Sequence, residues 1–277
     1  MSDTSVRPSS GGRRRLSDTA YARFMTTSQL RGIRVFLADF ARRQAARHVE
    51  LTGGFAVYDD AFGRSRANNR MIVDGPVEPE ALPGIAQEAL GHLPYQVVYV
   101  LDEEAGQSCA LPLVRAGYRR FEELVMLHTG PMPEGGAAQE VGLADLRGPL
   151  TLRWHQLLPG VGEEVTRQLV ERREVRRRGA EVVRFIGARA RDGQVASWAD
   201  LYADPVSGIA QVEDLITAEE HLGEGYAGAV LDTALRQAAD AGCGTRFLLA
   251  DAQDWPRDWY ERRGFTIVGR TYSFERG

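Results

Sequence analysis

From residue 28 onward the apolar positions switch repeatedly between a period near 3.6 and a period of 2, the mark of alternating helices and strands. They predict a helix near Leu30 to His48, short strands at Gly54 to Tyr58 and Asn69 to Val73, and a helix over Pro79 to His92. A buried strand at Tyr95 to Leu101 (YQVVYVL), a helix over Gln107 to Ala116 and a strand at Tyr118 to His128 follow. Pro131 to Ala138 (PMPEGGAA) breaks every period and reads as a linker. Beyond it come helices at Asp145 to Leu158 and Glu163 to Arg178, then three strands at Glu181 to Ala190, Gln194 to Ala203 and Ile209 to Thr217. Turns at Asp192-Gly193 and Asp204-Pro205 make these three an antiparallel meander. A helix near Tyr226 to Ala241, a strand at Thr245 to Ala250, a short helix at Pro256 to Arg263 and a closing strand pair (Phe265 to Val268, Tyr272 to Glu275) complete the chain. Residues 1–27, rich in Ser, Thr, Gly and Arg, read as a disordered tail, and Asp3 and Asp18 weaken the rival reading of a transit peptide.

Composition narrows the chemistry. All 34 basic residues are arginine. Without lysine there is no Schiff-base site for pyridoxal phosphate, no P-loop and no kinase strand lysine. A net charge of -4 gives no reason to expect nucleic acid as partner. With 43% apolar and 26% charged residues the chain reads as a soluble globular protein, and the cytoplasm is its expected location. No apolar stretch approaches the roughly 20 residues of a membrane helix. Cys109 and Cys243 lie too far apart in sequence to suggest a disulfide framework, and Cys243 has no evident His partner that would make it a nucleophile. The arginines 176–178 at the end of their helix suit its dipole and read as a solvated helix end rather than an anion site.

The sharpest local signal is Gly223-Glu224-Gly225-Tyr226-Ala227-Gly228, which spells G-x-G-x-x-G at the start of a helix. Glycines there let backbone N–H groups and the positive end of the helix dipole close on a phosphate, so the loop can serve without a lysine. One reading is a dinucleotide-binding unit, with Asp251 near the place of its ribose-binding acid. Topology opposes it: the preceding strand belongs to an antiparallel meander, and too little chain follows Asp251 for the remaining parallel strands.

The other reading joins the loop to Asp251 through Phe265, which ends in a Tyr260-x-x-x-Gly264-Phe265 element. A meander strand, a glycine loop of the type [QR]-x-x-G-x-[GA], a helix, a strand and a Tyr-x-x-x-Gly-Phe turn resemble the GNAT superfamily of acyl-CoA-dependent N-acyltransferases over about residues 145 to 277. Residues 28–130, with their own Ala116-Gly117-Tyr118 turn, more loosely resemble a second, degenerate copy without the loop. The resemblance implies an α/β (α+β) fold of two GNAT-like domains, each a central mixed, mainly antiparallel sheet flanked by helices: a tail 1–27, a degenerate domain 28–130, a linker 131–140 and an acetyltransferase domain 141–277.

What the resemblance implies can be carried over residue by residue. Leu215, Ile216 and Thr217 would pair with the pantetheine arm of acetyl-CoA, and Leu222, Gly223, Glu224, Gly225, Tyr226, Ala227 and Gly228 would hold its pyrophosphate. Glu220, Leu222 and Glu224 depart from the family's basic or amide residues, and His221 could restore some positive charge. Tyr260 would protonate the departing thiolate, a task suited to a phenol with a pKa near ~10. Glu213 is the candidate base for the acceptor amine. A tight hairpin at Asp204 to Ser207 would set Trp198 opposite Glu213 and Asp200 opposite Gln211, giving one face with Trp198, Asp200, Tyr202, Gln211 and Glu213 that suits a cationic amine. Asp251 or Gln253 stands near a cofactor-arm position, and Trp255 and Trp259 read as packing. The implied activity is acetyl transfer to a small-molecule or peptide amine, with acetyl-CoA as co-substrate, no metal, no membrane and a monomer or homodimer. A non-catalytic acyl-CoA-binding module is the alternative, and an NAD-dependent dehydrogenase a distant third.

Overall fold

The computed structural model describes residues 18–277, with side chains from Thr27 onward, so the expected tail lies outside the described residues up to position 17. The first half runs α1 (Asp18–Gln44), β1 (Arg47–Leu51), β2 (Gly54–Tyr58), β3 (Arg70–Val73), α2 (Leu82–Leu90), β4 (Gln96–Val100), α3 (Glu103–Arg115) and β5 (Arg119–His128). The second runs β6 (Gln139–Glu140), α4 (Leu143–Leu157), α5 (Glu163–Glu171), β7 (Val182–Arg189), β8 (Val195–Asp204), β9 (Ile209–Thr217), α6 (Tyr226–Asp240), β10 (Thr245–Asp251), α7 (Pro256–Arg262) and β11 (Phe265–Arg276). Local chemistry sets several boundaries. Asp102 accepts a hydrogen bond from Ala105 N at 2.9 Å and so caps α3, and Pro256 begins α7 where a missing N–H costs nothing.

Four expectations change. The first helix starts at Asp18, inside the expected tail, and ends at Gln44, before the separate strand β1. The helix expected over 163–178 is α5 followed by a tighter 3-10 segment, Arg172–Arg178. The expected closing strand pair is one twelve-residue strand, β11, with a bulge between Ile267 and Gly269. Gly269 sits there because α1 crosses the strand at that point: a Cβ would lie 2.7 Å from Leu30 Cδ1.

The fourth concerns the halves. All strands of the described residues join one eleven-stranded sheet in the order β1-β2-β3-β4-β11-β5-β10-β9-β8-β7-β6. The order mirrors about its centre, so that β1-β2-β3-β4 on one side matches β7-β8-β9-β10 on the other, and β3/β4 and β9/β10 are both parallel pairs. The last strand of each half has crossed over: β11 lies between β4 and β5, and β5 between β11 and β10. Two separate sheets were expected, and the structure has one.

Alternation assigns the two faces of this sheet. Leu124, Met126, Leu248 and Ala250 turn to one face, under α6 and α7, where they pack with Val230, Leu231, Ala234 and Tyr260. The same face in the first half carries α2 and α3 over Val98, Val100, Tyr272 and Phe274. The opposite face is spanned by α1, whose Phe36 and Phe40 meet Tyr202, Ile209 and Phe247 while its Ala38 and Ala41 meet Phe55 and Tyr99. One helix thus ties both halves across the seam. Among the described residues no helix is long and apolar enough to cross a membrane.

Candidate active site

The strands β9 and β10 hydrogen-bond in parallel over three residue pairs, Ile209/Thr245, Ala210/Arg246 and Gln211/Phe247, and then part. From Val212 onward β9 keeps its partner β8 on one edge and has no ladder partner on the other. The cause lies at Asp214, which has φ +50°, a left-handed conformation rare for a residue with a side chain. The pairing of β8 with β9 slips here, from Asp200 opposite Glu213 to Trp198 opposite Ile216. The extra residue bends the strand away from its neighbour. In the first half, β3 and β4 also pair over three residues, but β3 ends at that point and no split opens.

Buried charge holds this bulge. Arg176 Nη1 donates to Asp200 Oδ2 at 2.6 Å and to Asp214 Oδ2 at 2.7 Å, Arg173 Nε donates to Asp200 Oδ1 at 2.7 Å, and Tyr202 Oη donates to Asp200 Oδ2 at 2.8 Å. Asp200 is wholly buried. Burial alone would raise the Asp214 pKa, but Arg176, Arg173 and Arg172 outweigh it and hold the carboxyl below its usual range. The network corrects two expectations. Arg176 is a buried structural residue, not part of a solvated helix end. The hairpin loop takes in residues 205–208, with Asp204 opposite Ile209, so Glu213 faces Asp200 and Trp198 faces Ile216. Asp200 is sealed and cannot meet a ligand, and Trp198 packs with α4 and lines a separate cavity beside residues 217–221.

Glu213 lies just beyond the last paired residue, accepts a hydrogen bond from Gln211 Nε2 and lines a cavity of about 380 Å³ on the α1 face. Burial first, and then the adjacent Asp214 charge, push its carboxyl up to about 8, against a smaller opposing pull from Arg176. Tyr260 projects from α7 on the other face of the sheet, close enough for the Glu213 charge to act on it; burial chiefly, with that charge, raises the phenol to about 12. Among the described residues its hydroxyl has no hydrogen-bond partner. The split strands therefore separate a group fit to take a proton from one fit to give one.

Above the split the chain makes a short turn, Glu219–His221, and enters α6 through Gly223 (φ +81°) and Gly225 (φ +89°). A Cβ built on either glycine would meet nothing within 4 Å, so the loop backbone is open to a ligand. Among the described residues no turn or loop hydrogen bond uses the amides of Gly223, Glu224 or Gly225, and the first-turn amides of α6 have no acceptor within the helix. His221 Nδ1 lies 3.3 Å from Glu224 Oε2, so it serves Glu224 and is not a spare positive group at the loop. The cation that the sequence reading missed is Arg263. Its guanidinium packs where Gly228 lacks a side chain, with Nη1 3.1 Å from Asp232 Oδ1, beside the first turns of α6. Its position directly before Gly264-Phe265 was the available signal.

The remaining residues of the proposed cofactor arm lie past the bulge. Leu215 packs toward α6 and Ile216 toward α4, while Thr217 Oγ1 donates to Ser197 Oγ at 3.0 Å. Asp251 is exposed at the cavity wall and accepts from Gln253 N at 2.8 Å. Trp255, expected to pack, is 70% exposed, whereas Trp259 is half-buried beneath the Arg263 guanidinium. Cys243 is buried and donates to Ile209 O, and burial raises its thiol, so it is no nucleophile.

The sequence itself carries a matching signature over this region. Residues 151–265 match the acetyltransferase (GNAT) family. No curated protein matches the chain. Among solved structures, a GCN5-related N-acetyltransferase from Kribbella flavida shares the fold with a TM-score of 0.54 at 17% identity, over 92% of this chain and 95% of that one. An acetyltransferase of the GNAT family from Colwellia psychrerythraea gives 0.50 at 14% identity, over 83% and 84%. A protein of unknown function from Staphylococcus epidermidis gives 0.59 at 12%, over 82% and 92%. The fold is GNAT-like across nearly the whole chain.

Proposed function

We propose that the protein transfers the acetyl group of acetyl-CoA directly to the amine of a small-molecule or peptide acceptor. The observation that carries this reading is the split between β9 and β10, with Glu213 on one face, Tyr260 on the other and an open glycine loop above. The groups fit acetyl-CoA: the open amides of the loop and the N-terminus of α6 suit its pyrophosphate, and the unpaired edge of residues 212–217 suits its amide-bearing arm. Arg263, although paired with Asp232, places a guanidinium beside the first turns of α6 in a chain without lysine. When bound, acetyl-CoA supplies an activated thioester. Glu213 takes the proton of the acceptor's ammonium group, so that a neutral amine is presented at the split. Tyr260 holds a proton at Oη for the departing sulfur. The mirrored strand order supports reading the first half as a degenerate copy of the same unit.

A dinucleotide-binding reading finds no support in the sheet, where β10 has one parallel neighbour over three pairs and an antiparallel one, β5. Thermal shift separates the readings: CoA or acetyl-CoA at a hundred times its Kd should stabilise the fold by about 2.7 kcal/mol, and NAD should not. A shift with NAD alone refutes the proposal. Release of free CoA thiol should depend on added amine; binding without such release across a broad amine panel would leave a non-catalytic acyl-CoA module.

A further inference from the structure

The cavity beside Glu213 contains an unbalanced row of acids. Glu123 on β5 and Asp251 on β10 are direct cross-strand partners, so both carboxylates stand on the same face, toward the α1 side, and both line the cavity with Glu213. Like charges placed directly opposite each other destabilise a sheet unless something cationic lies between or above them. Neither has a basic partner among the described residues. Of the cations in the cavity wall, Arg176 is engaged with Asp200 and Asp214 and Arg66 with Glu275, while Arg70 lies 4.7 Å over the Tyr99 ring with no acid partner among the described residues.

Glu123 is also held in place. Tyr99 Oη donates to its Oε2 at 2.7 Å and Thr271 Oγ1 to the same oxygen at 3.2 Å, both from buried hydroxyls, which leaves Oε1 without a partner among the described residues. A second, separate sign of a ligand comes from the opposite wall. Gln44, at the end of α1, is 5% exposed and lines the cavity, yet its carboxamide has no hydrogen-bond partner among the described residues. Leu249, two residues before Asp251 on β10 and nearer the level of Glu213, gives the same cavity an apolar surface between the acids.

We infer that Glu123 and Asp251 bind a second positive group of the acceptor, making the substrate a diamine whose other amine is presented to Glu213. The inference rests on the acetyltransferase reading for the role of Glu213, but the binding site is contributed across the seam, with Glu123 and Tyr99 from the first half. Strand spacing places the two positive groups about 5–10 Å apart, with the methylenes between them against Leu249. The first half thus sets specificity, although it has no glycine loop of its own.

Calorimetric titration of the full chain with cadaverine and with pentylamine tests this, since the two share a carbon chain and differ by one amine. Cadaverine should bind about ten- to a hundredfold more tightly, the factor expected for one charge-assisted contact. Glu123→Gln and, independently, the surface substitution Asp251→Asn should each remove most of that difference and leave pentylamine unchanged. Equal affinity for the two amines, or a preference that survives both substitutions, overturns the inference. The two readings fail separately. Tight cadaverine binding without amine-dependent thiol release refutes the transferase and keeps the subsite, whereas thiol release at equal rates with both amines does the reverse.

Discussion

The raised Glu213 carboxyl gives the proposed reaction a definite pH profile. A base held at about 8 by burial and by Asp214 is mostly protonated at neutral pH. About a tenth of the molecules carry the carboxylate at pH 7 and about nine-tenths at pH 9, so kcat/KM should rise roughly tenfold between them when the concentration of the acceptor's ammonium form is held fixed. The sign follows from the chemistry: the carboxylate works only when ionised, so activity is gained as pH rises through the folded-state value. No descending limb from Tyr260 should appear near neutrality, because its phenol stays protonated to about 12. The assay is thiol release across pH, at a constant concentration of the protonated acceptor. Glu213→Gln should lower the rate at pH 9 by about a hundredfold or more and abolish the inflection. Asp214→Asn makes a directional test. Asparagine accepts the +50° φ that position requires, and the change removes a negative neighbour while freeing Arg176, so both effects lower the Glu213 pKa. The inflection should move to lower pH. An inflection near 8 that persists in Glu213→Gln, or one that Asp214→Asn moves upward, refutes Glu213 as the base.

Three further outcomes follow from other parts of the site. Tyr260→Phe should lower kcat by about a hundredfold or more with little change in acetyl-CoA affinity measured by calorimetry, and an unchanged kcat removes Tyr260 from the mechanism. Asp200→Ala leaves Arg173 and Arg176 buried with a broken partner, so urea unfolding should show a loss of about 3–5 kcal/mol; a loss below about 1 kcal/mol would mean that the network does not stabilise the bulge region. Gly225→Ala imposes a left-handed conformation on a residue with a Cβ, costing about 1–2 kcal/mol, and should weaken acetyl-CoA binding more than it lowers the unfolding midpoint. Equal affinity in that variant would exclude the loop as the pyrophosphate site.

What the sequence made legible was whatever a few adjacent residues determine. The glycine loop, the strand before it and the Tyr260 turn are local patterns, and they stand where expected. The register of the β8–β9 hairpin was misread by two residues because Asp204-Pro205 drew the turn too tight, whereas Gly208, at φ +69°, closes a longer one. The bulge was invisible because its left-handed residue is an aspartate, which carries no glycine signal. Arg173 and Arg176 showed themselves as charges, but their partner Asp200 lies on a strand that only tertiary structure brings to them. The strand β1 was missed, its first two residues being read as the end of the helix, because its residues are largely exposed and show no alternation. Crossed terminal strands leave no local mark at all: β11 and β5 alternate in the same way whichever neighbours they choose.

That crossing has a consequence during synthesis. The seat between β4 and β5 stays empty until Arg276 has left the ribosome, although both its walls were made much earlier. At ordinary translation speeds the nascent first half waits on the order of ten seconds with two unpaired strand edges, a natural target for a chaperone and for misplaced pairing between neighbouring nascent chains on one messenger. Loss of the last strand would therefore not trim one lobe: it would unseal both.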